Sequence, residues 1–155
     1  GTRPILVEVQ ALVSNANFGT PQRNVNGFDF KRLAMLLAVL EKRIGTHMGT
    51  KDVFINLVGG LKIDDPAADL AVISAVASSS RDKLIKESVV LIGEVGLGGE
   101  VRSVSRLKER INEAKSLGFK SVIAPAANLK RMKDRIKGVD ITGVTNVGEV
   151  FHHLF

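Results

Sequence analysis

The sequence contains no cysteine, no tryptophan, no tyrosine and only three histidines. Without cysteine, the chain can form neither a disulfide nor a thiolate metal site. Seven phenylalanines are its only large aromatic residues, so it lacks the stacking platforms of many single-strand binders. No apolar run approaches the roughly 20 residues of a membrane-spanning helix, and Gly1–Pro4 shows no signal-peptide pattern. These absences predict a cytoplasmic protein without membrane contact.

The charge balance is basic. Among 155 residues, 22 Lys and Arg stand against 16 Asp and Glu, which gives a formal net charge of +6. The length fits one domain with a sizeable core. A basic domain favours polyanionic partners such as nucleic acid. Because aromatic residues are scarce, we expect any DNA contact to be directed mainly to phosphates.

The hydrophobic pattern alternates between strand-like and helix-like segments along the whole chain. It predicts strands over 5–13, 53–58, 89–92, 120–124 and 139–144. It predicts helices over 28–43, from 65 onward, over 105–117 and over 147–155, with a short basic helix after 128 and a loop over 14–27. No linker or repeat divides the chain. The prediction is one α/β (or α+β) domain, 1–155, with a mixed sheet and packed helices.

Several residues predict where helices begin and end. Asp65 can cap the second long helix, and Pro66 suits its first turn, where a missing N–H costs nothing. Ser105 and Asn128 are predicted to cap the next two helices. Gly45 and Gly118 are predicted to stop the helices that precede them.

The glycine-rich stretch Gly96–Gly99 invites comparison with a phosphate-binding loop. A Walker loop ends in Gly-Lys-Ser or Gly-Lys-Thr, which this chain lacks, and Val101 stands at the last glycine position of the dinucleotide fingerprint. The four glycines of 93–101 therefore favour a hairpin or bulged turn. We expect no ATP site in this chain.

The possible metal ligands are poorly arranged for a metal site. His47 stands alone, and a helix would point His152 and His153 about 100° apart. Asp64, Asp65 and Asp69 surround a predicted helix N-terminus, where carboxylates stabilise the positive end of the dipole. Capping is the favoured role for these three, with a metal site as the alternative.

Hydrolase chemistry needs a nucleophile and a base. With three histidines, two of them near the C-terminus, no serine–histidine–aspartate triad can be recognised, which leaves a serine–lysine dyad to consider. Three segments bear on it: Asp65-Pro66-Ala67-Ala68-Asp69, Gly93-Glu94-Val95 and Ser105-Arg106-Leu107-Lys108-Glu109-Arg110. In order and character they resemble the serine motif, the Gly-Glu-Val element and the lysine motif of the Lon peptidase domain. The resemblance spans roughly residues 50–155.

The resemblance puts Ala67 at the position of the nucleophilic serine and Lys108 at that of the lysine. A methyl group cannot attack a carbonyl, so no acyl-enzyme can form at Ala67. Ser74 cannot substitute, because it lies two helical turns further on, ~10 Å along the axis. We therefore expect a degenerate peptidase site without catalytic residues. A surviving peptidase with another nucleophile is the less favoured alternative.

This chain resembles one branch of the Lon-like domains more closely than it resembles the Lon peptidase domain itself. The opening 1–13, Phe18–Arg23, Leu36–Arg43 and Gly93–Arg102 closely resemble the C-terminal Lon-like domain of the RadA (Sms) family, although Gln22 stands where that family has a second basic residue. The resemblance implies the Lon-type fold, related to the second domain of ribosomal protein S5. It also implies a larger parent, a hexameric ATP-dependent helicase-like ATPase that drives branch migration in DNA recombination and repair.

In that parent, zinc and ATP with magnesium would bind in domains that this chain does not include, so no cofactor is expected here. The resemblance implies a homo-hexameric scaffold that contacts DNA, with a RecA-type recombinase as a further partner. We expect one basic face to hold DNA non-specifically through phosphates. The predicted contacts are Arg23, Lys31, Arg32, Arg102, Arg106, Lys108 and Arg110. Lys130, Arg131, Lys133 and Arg135 are interpreted as solvating a helix. A purely structural oligomerisation tier is the alternative function.

Overall fold

The computed structural model describes residues 5–17, 19–59, 65–86 and 88–155. Asp64, one of the three carboxylates predicted to cap a helix, lies outside the described residues. So do Gly1–Pro4, Phe18 and Gly60, which belong to segments compared above.

Strands and helices alternate as the α/β prediction requires. The strands are β1 (Val7–Asn15), β2 (Arg23–Asn26), β3 (Lys51–Gly59), β4 (Val89–Leu91), β5 (Glu94–Val95), β6 (Val101–Arg102), β7 (Ser121–Pro125) and β8 (Asp140–Val144). The helices are α1 (Phe30–Val39), which continues as a π-helical turn over Leu40–Ile44, α2 (Asp69–Arg81), preceded by a 3₁₀ turn over Pro66–Ala68, α3 (Leu107–Ser116), α4 (Ala126–Arg131) and α5 (Val147–Leu154).

The first sheet is mixed and has the strand order β1-β3-β2. β1 runs antiparallel to β3 and β2 parallel to it. Successive residues of β1 alternate between the core and solvent, as the period of a strand dictates. On the outer face the opposed pair Leu12 and Phe54 lies beside an amide ladder, in which Asn26 donates to Asn56 (2.9 Å) and Asn56 donates to Gln10 (3.0 Å).

The second sheet is parallel, with the order β4-β7-β8, and β5 pairs with β6 in a separate hairpin. This hairpin confirms the turn predicted from the glycines of 93–101. Its turn closes where Gly99 N–H donates to Gly96 O (2.9 Å). Val101 N–H donates to Thr145 O and Val147 N–H to Gly99 O, so the hairpin is fixed to the junction between β8 and α5.

Two clusters of buried apolar side chains form the core. The larger joins α1, α2 and α5 to the first sheet, and Leu36, Leu70 and Phe151 are among its members. The smaller lies under α3, where Ile111 packs with Val122. Within the described ranges, no helix is long and apolar enough to cross a membrane.

Three local predictions are wrong. Residues 23–26 form β2 instead of loop, because each of them pairs with a residue of β3 that is 30 positions away. Ser105 does not cap α3: the capping position is Arg106, in the left-handed region with φ 59°, and no side chain bonds there. Asn128 lies inside α4, where its amide accepts from Val104 N–H (2.8 Å) and donates to Val104 O (3.0 Å).

Other local predictions are confirmed. The Asp65 carboxylate accepts from Ala67 N–H, and Pro66 follows in the first turn. Gly45 and Gly118 end their helices with φ 85° and 93°, a conformation that glycine adopts without steric cost.

Helix α5 is held to α2 by a cation between two rings. The Arg81 guanidinium lies 5.1 Å from the ring centres of both Phe151 and Phe155. We expect Arg81→Ala to lower the free energy of unfolding by about 1 kcal/mol, because exposed cation–π contacts contribute roughly 0.5–1 kcal/mol each. Urea denaturation would measure it, with Lys83→Ala, at an exposed position of the same region, as the control. An equal effect of the two changes would contradict a ring-specific role.

Candidate functional site

An apolar groove of about 570 Å³ lies between the start of β1, the start of α2 and β4. Alanines at 67, 68, 71 and 75 form its α2 wall, and these small side chains leave the space open. The other wall includes the strand residues Val89, Val90 and Leu91. Polar side chains at the groove come from Glu8, Asp65 and Arg110. The groove is thus a mostly apolar cleft with a few charged groups at one helix terminus, as ligand sites commonly are.

Ala67 lies at the helix-terminal end of this groove and is 4% exposed. Its N–H donates to Asp65 Oδ1 (3.0 Å), and its carbonyl accepts from Gly93 N–H (3.0 Å). Its methyl packs in the smaller core cluster with Ile92 and Leu107. The main chain of Ala67 is therefore fixed on both sides, while its side chain offers no lone pair for nucleophilic attack.

Arg110 links the groove to α3. Its guanidinium donates to Asp65 Oδ2 (3.0 Å, from Nη1) and to Ser105 O (2.9 Å, from Nε), and the residue is only 6% exposed. The Asp65 carboxylate therefore accepts one hydrogen bond from the 3₁₀ turn before α2 and another from the Arg110 side chain. No local sequence pattern signals this pair, because the two residues are 45 positions apart.

Lys108 points to a different surface. Its Nζ lies 3.6 Å from Asp134 Oδ2, and its side chain is 58% exposed. Lys108 is not among the residues that line the groove in the described part of the chain, although Arg110, two positions later, is. The neighbour of the Lys108 ammonium group is thus the carboxylate of Asp134.

A second buried ion pair lies behind the groove. Asp69 is 0% exposed, and its carboxylate accepts from Arg32 Nε (2.9 Å), Arg32 Nη2 and Val95 N–H (3.0 Å). Burial raises the pKa of the Asp69 carboxyl, whereas the hydrogen bonds from Arg32 and Val95 oppose that rise. The hydrogen bond to Asp69 raises the pKa of Arg32. One carboxylate thereby joins α1, α2 and the β5–β6 hairpin.

The family model described as "Lon protease (S16) C-terminal proteolytic domain" matches residues 39–155, which is well over half of the chain. The chain belongs to this Lon family. The match includes the groove alanine at 67 and the lysine at 108, the two positions compared with the serine and lysine motifs above.

Within the Lon family the chain is of the RadA type. It is 50% identical over 149 residues to a protein of Bacillus subtilis (strain 168) named DNA repair protein RadA, covering 96% of this chain and 32% of that protein. It is 45% identical over 155 residues to the DNA repair protein RadA of Streptococcus pyogenes serotype M1, covering 100% and 34%. The Listeria monocytogenes serovar 1/2a protein of that name is 46% identical over 149 residues, covering 96% and 32%. The chain spans about a third of the length of these curated relatives.

Four of the predicted DNA-contact cations of this Lon-family domain form ion pairs with carboxylates. Two of the partners are distant in sequence and two are only two or three positions away. Arg32 and Arg110 bond to Asp69 and Asp65 as described. Arg102 Nη2 lies 2.8 Å from Glu100 Oε2, and Arg106 Nε donates to Glu109 Oε2 (3.0 Å). These bonds lower the pKa of both glutamates. The four guanidiniums are thus already compensated by negative charge in the isolated chain.

The other predicted contacts differ in their surroundings. Arg23 is half-buried and donates to the main-chain carbonyls of Lys51 (3.1 Å) and Met48 (2.6 Å), so it supports the loop before β3. Lys31 is exposed in the first turn of α1. Lys108 lies beside Asp134. The DNA role of all seven residues stays a prediction, and the structure distributes them over more than one element.

The described residues considered above for metal or nucleotide binding make other contacts in this structure. No group of three or more His, Asp or Glu side chains that could hold an ion occurs within residues 5–17, 19–59, 65–86 and 88–155. The carboxylates of Asp65 and Asp69 are used by Arg110 and Arg32. The glycines of 96–99 form the hairpin turn, whose Gly98 N–H donates to Glu100 Oε1 (3.0 Å) and so faces a carboxylate.

Proposed function

We propose that this chain is a non-peptidase Lon-like domain of a DNA repair protein, serving as a scaffold for a homo-hexameric ring and as a contact for DNA. The observation that carries the proposal concerns the two residues compared above with the catalytic serine and lysine of Lon. The resemblance to Lon motifs assigns Ala67 to the place of the nucleophile, and Lys108, assigned to that of the lysine, lies beside Asp134 and is not among the described residues that line the groove. Without a nucleophile and its base the groove cannot form an acyl-enzyme.

The relatives named DNA repair protein RadA support the DNA part of the proposal, because their identity of 45–50% extends over nearly all of this chain. The net charge of +6 supports contact with a polyanion. The parent would be a cytoplasmic, ATP-dependent helicase-like ATPase that acts in recombination and branch migration, with a RecA-type recombinase as a partner. Zinc and ATP with magnesium would bind in other domains of that parent.

We expect the purified domain to form no covalent adduct with a serine-directed fluorophosphonate, as measured by intact mass. Ala67→Ser is also expected to remain unlabelled, because a serine there would still lack Lys108 as a base. An active Lon protease serves as the positive control. An adduct on the unaltered domain, or casein cleavage abolished by Lys108→Ala, would overturn the proposal.

The alternative function is an oligomerisation tier that does not touch DNA. Fluorescence anisotropy with a labelled duplex, together with sedimentation of the domain, separates the two. We expect binding at 50 mM salt that falls steeply toward 200 mM, because binding through phosphate contacts releases counterions. Ring formation without DNA binding at either salt concentration would favour the oligomerisation tier that does not touch DNA.

A further inference from the structure

Residues 130–137, Lys-Arg-Met-Lys-Asp-Arg-Ile-Lys, form a basic segment made of the last two residues of α4 and the first six of the connection to β8. It holds five cations and one carboxylate, a formal charge of +4 over eight residues. Met132 and Ile136 are half-buried and pack on the smaller core cluster. All five cations are exposed. The two apolar side chains thus attach the segment to the domain, while its cationic side chains remain in solvent.

Helix α3 adds two lysines to this surface. Lys108 lies 3.6 Å from Asp134 of the segment. Lys115, seven positions later and therefore on the same helix face, passes beside Gly138: its Nζ is 3.3 Å from where a Cβ of residue 138 would lie. The absence of a side chain at Gly138 permits this approach. The basic segment and α3 therefore present one continuous cationic surface.

The charge of this surface is largely uncompensated. Arg32, Arg102, Arg106 and Arg110 each lie within 4.0 Å of a carboxylate. In the described part of the chain, no such contact is made by Lys130, Lys133, Arg135 or Lys137, and the one carboxylate of the segment, Asp134, lies beside Lys108. An arginine hydrogen-bonded to a carboxylate must break those bonds to bind a phosphate, whereas an exposed lysine in water need not. Lys108, 3.6 Å from Asp134, makes only a longer contact.

We infer that the basic segment 130–137, together with Lys108 and Lys115, is the surface through which this domain holds duplex DNA. The inference rests on the proposed DNA-contact function and specifies the side chains that perform it. It moves the contact from the predicted cations of the hairpin and α1 to the segment 130–137 and to the lysines at both ends of α3, Lys108 and Lys115. Lys108 alone belongs to both sets.

The chemistry of the segment fits the duplex backbone better than single-stranded bases. Residues 130–138 contain no aromatic side chain on which an unpaired base could stack. Five of the seven cations of the surface are lysines, with Arg131 and Arg135 as the others. Lysine ammonium groups act as point charges toward phosphates and do not impose the planar, bidentate geometry by which arginine reads guanine. The expected binding is therefore independent of sequence and strongly dependent on salt.

The test compares two triple charge reversals in the whole domain. The first is Lys130→Glu/Lys133→Glu/Lys137→Glu. The matched control is Lys42→Glu/Lys83→Glu/Lys86→Glu, which also changes three exposed lysines, one of them in a last helical turn. Each triple lowers the formal charge from +6 to 0 (6 − 3 × 2). Circular dichroism verifies folding, and duplex binding is measured by anisotropy between 50 and 200 mM salt.

We expect the first triple to weaken duplex binding on the order of 100-fold and to reduce the salt slope by about 3, since each phosphate contact contributes about 0.9. The control should weaken binding less than about tenfold with an unchanged slope. Equal effects of the two triples, or binding that the first triple leaves unchanged, would overturn the inference while leaving DNA contact in place. An unaltered domain that fails to bind duplex at 50 mM salt would reject the DNA part of the proposed function itself.

Discussion

Arg32→Leu is expected to lower the free energy of unfolding by about 3–5 kcal/mol, the usual effect of removing one partner from a buried ion pair. The change leaves the Asp69 carboxylate, which is 0% exposed, with only the Val95 N–H as a donor. A buried charge without a counter-ion is far more costly than the pair itself is stabilising. Urea denaturation at pH 7 measures the loss.

The pH dependence of the same variant provides the control. Without Arg32, burial raises the pKa of Asp69 further, while in the unfolded chain that pKa stays near its ordinary value. The folded state then binds more protons than the unfolded state between the two pKa values, so stability falls as pH rises through that window. Arg32→Leu should therefore be more stable at pH 5 than at pH 7. In Arg32→Leu/Asp69→Asn that dependence should disappear and stability should partly recover. A single variant whose stability is independent of pH would contradict the assignment.

Asp65→Ala is expected to destabilise the domain by about 3 kcal/mol, through two separable effects. Loss of the helix cap accounts for roughly 1 kcal/mol. The remainder arises because the nearly buried Arg110 guanidinium keeps only the Ser105 carbonyl as an acceptor. Thermal and urea denaturation of the purified variant give the total.

Asparagine at the same position separates the two effects. Asp65→Asn retains a good capping oxygen for the Ala67 N–H but removes the negative charge opposite Arg110. We expect it to be less destabilised than Asp65→Ala by roughly the 1 kcal/mol of the cap. Adding Arg110→Leu to Asp65→Ala should restore part of the loss, since no buried cation then remains. If the asparagine and alanine variants are equally stable, the capping role is wrong.

The start of α2 and the ends of the first helix and of α3 could be predicted, because their causes are local. Asp65 and Pro66 mark the start of α2, and Gly45 and Gly118 stop helices through φ values that few other residues adopt. The β5–β6 hairpin follows from closely spaced glycines for the same reason. In each case a few adjacent residues contain the whole physical cause.

The features that the sequence did not predict depend on distant partners. β2 lies in a stretch rich in Asn, Gly and Pro, and only its pairing with β3 makes it a strand. Asn128 bonds to Val104, 24 positions away, instead of capping a helix. The positive φ of Arg106 likewise has no signal in residue type, since such residues rarely adopt that conformation.

The same contrast holds for the candidate site. The resemblance to Lon motifs could assign roles to Ala67 and Lys108, because those motifs have a fixed order along the chain, and that assignment stays a prediction. The contact of Lys108 with Asp134 could not be predicted, because it depends on how α3 and the segment after α4 meet. The ion pairs of the predicted DNA-contact cations could not be predicted for the same reason. The charge composition does not reveal which cations have a carboxylate partner.

The amide ladder of Asn26, Asn56 and Gln10 is an uncharged polar feature on the outer face of the first sheet, in contrast to the cationic basic segment. The amides donate in a single direction across three strands, from Asn26 to Asn56 and from Asn56 to Gln10. Amides do not titrate and attract no counterion cloud, so their strength is indifferent to ionic strength. A hydrogen bond made to these amides would therefore lack the steep salt dependence of a phosphate contact.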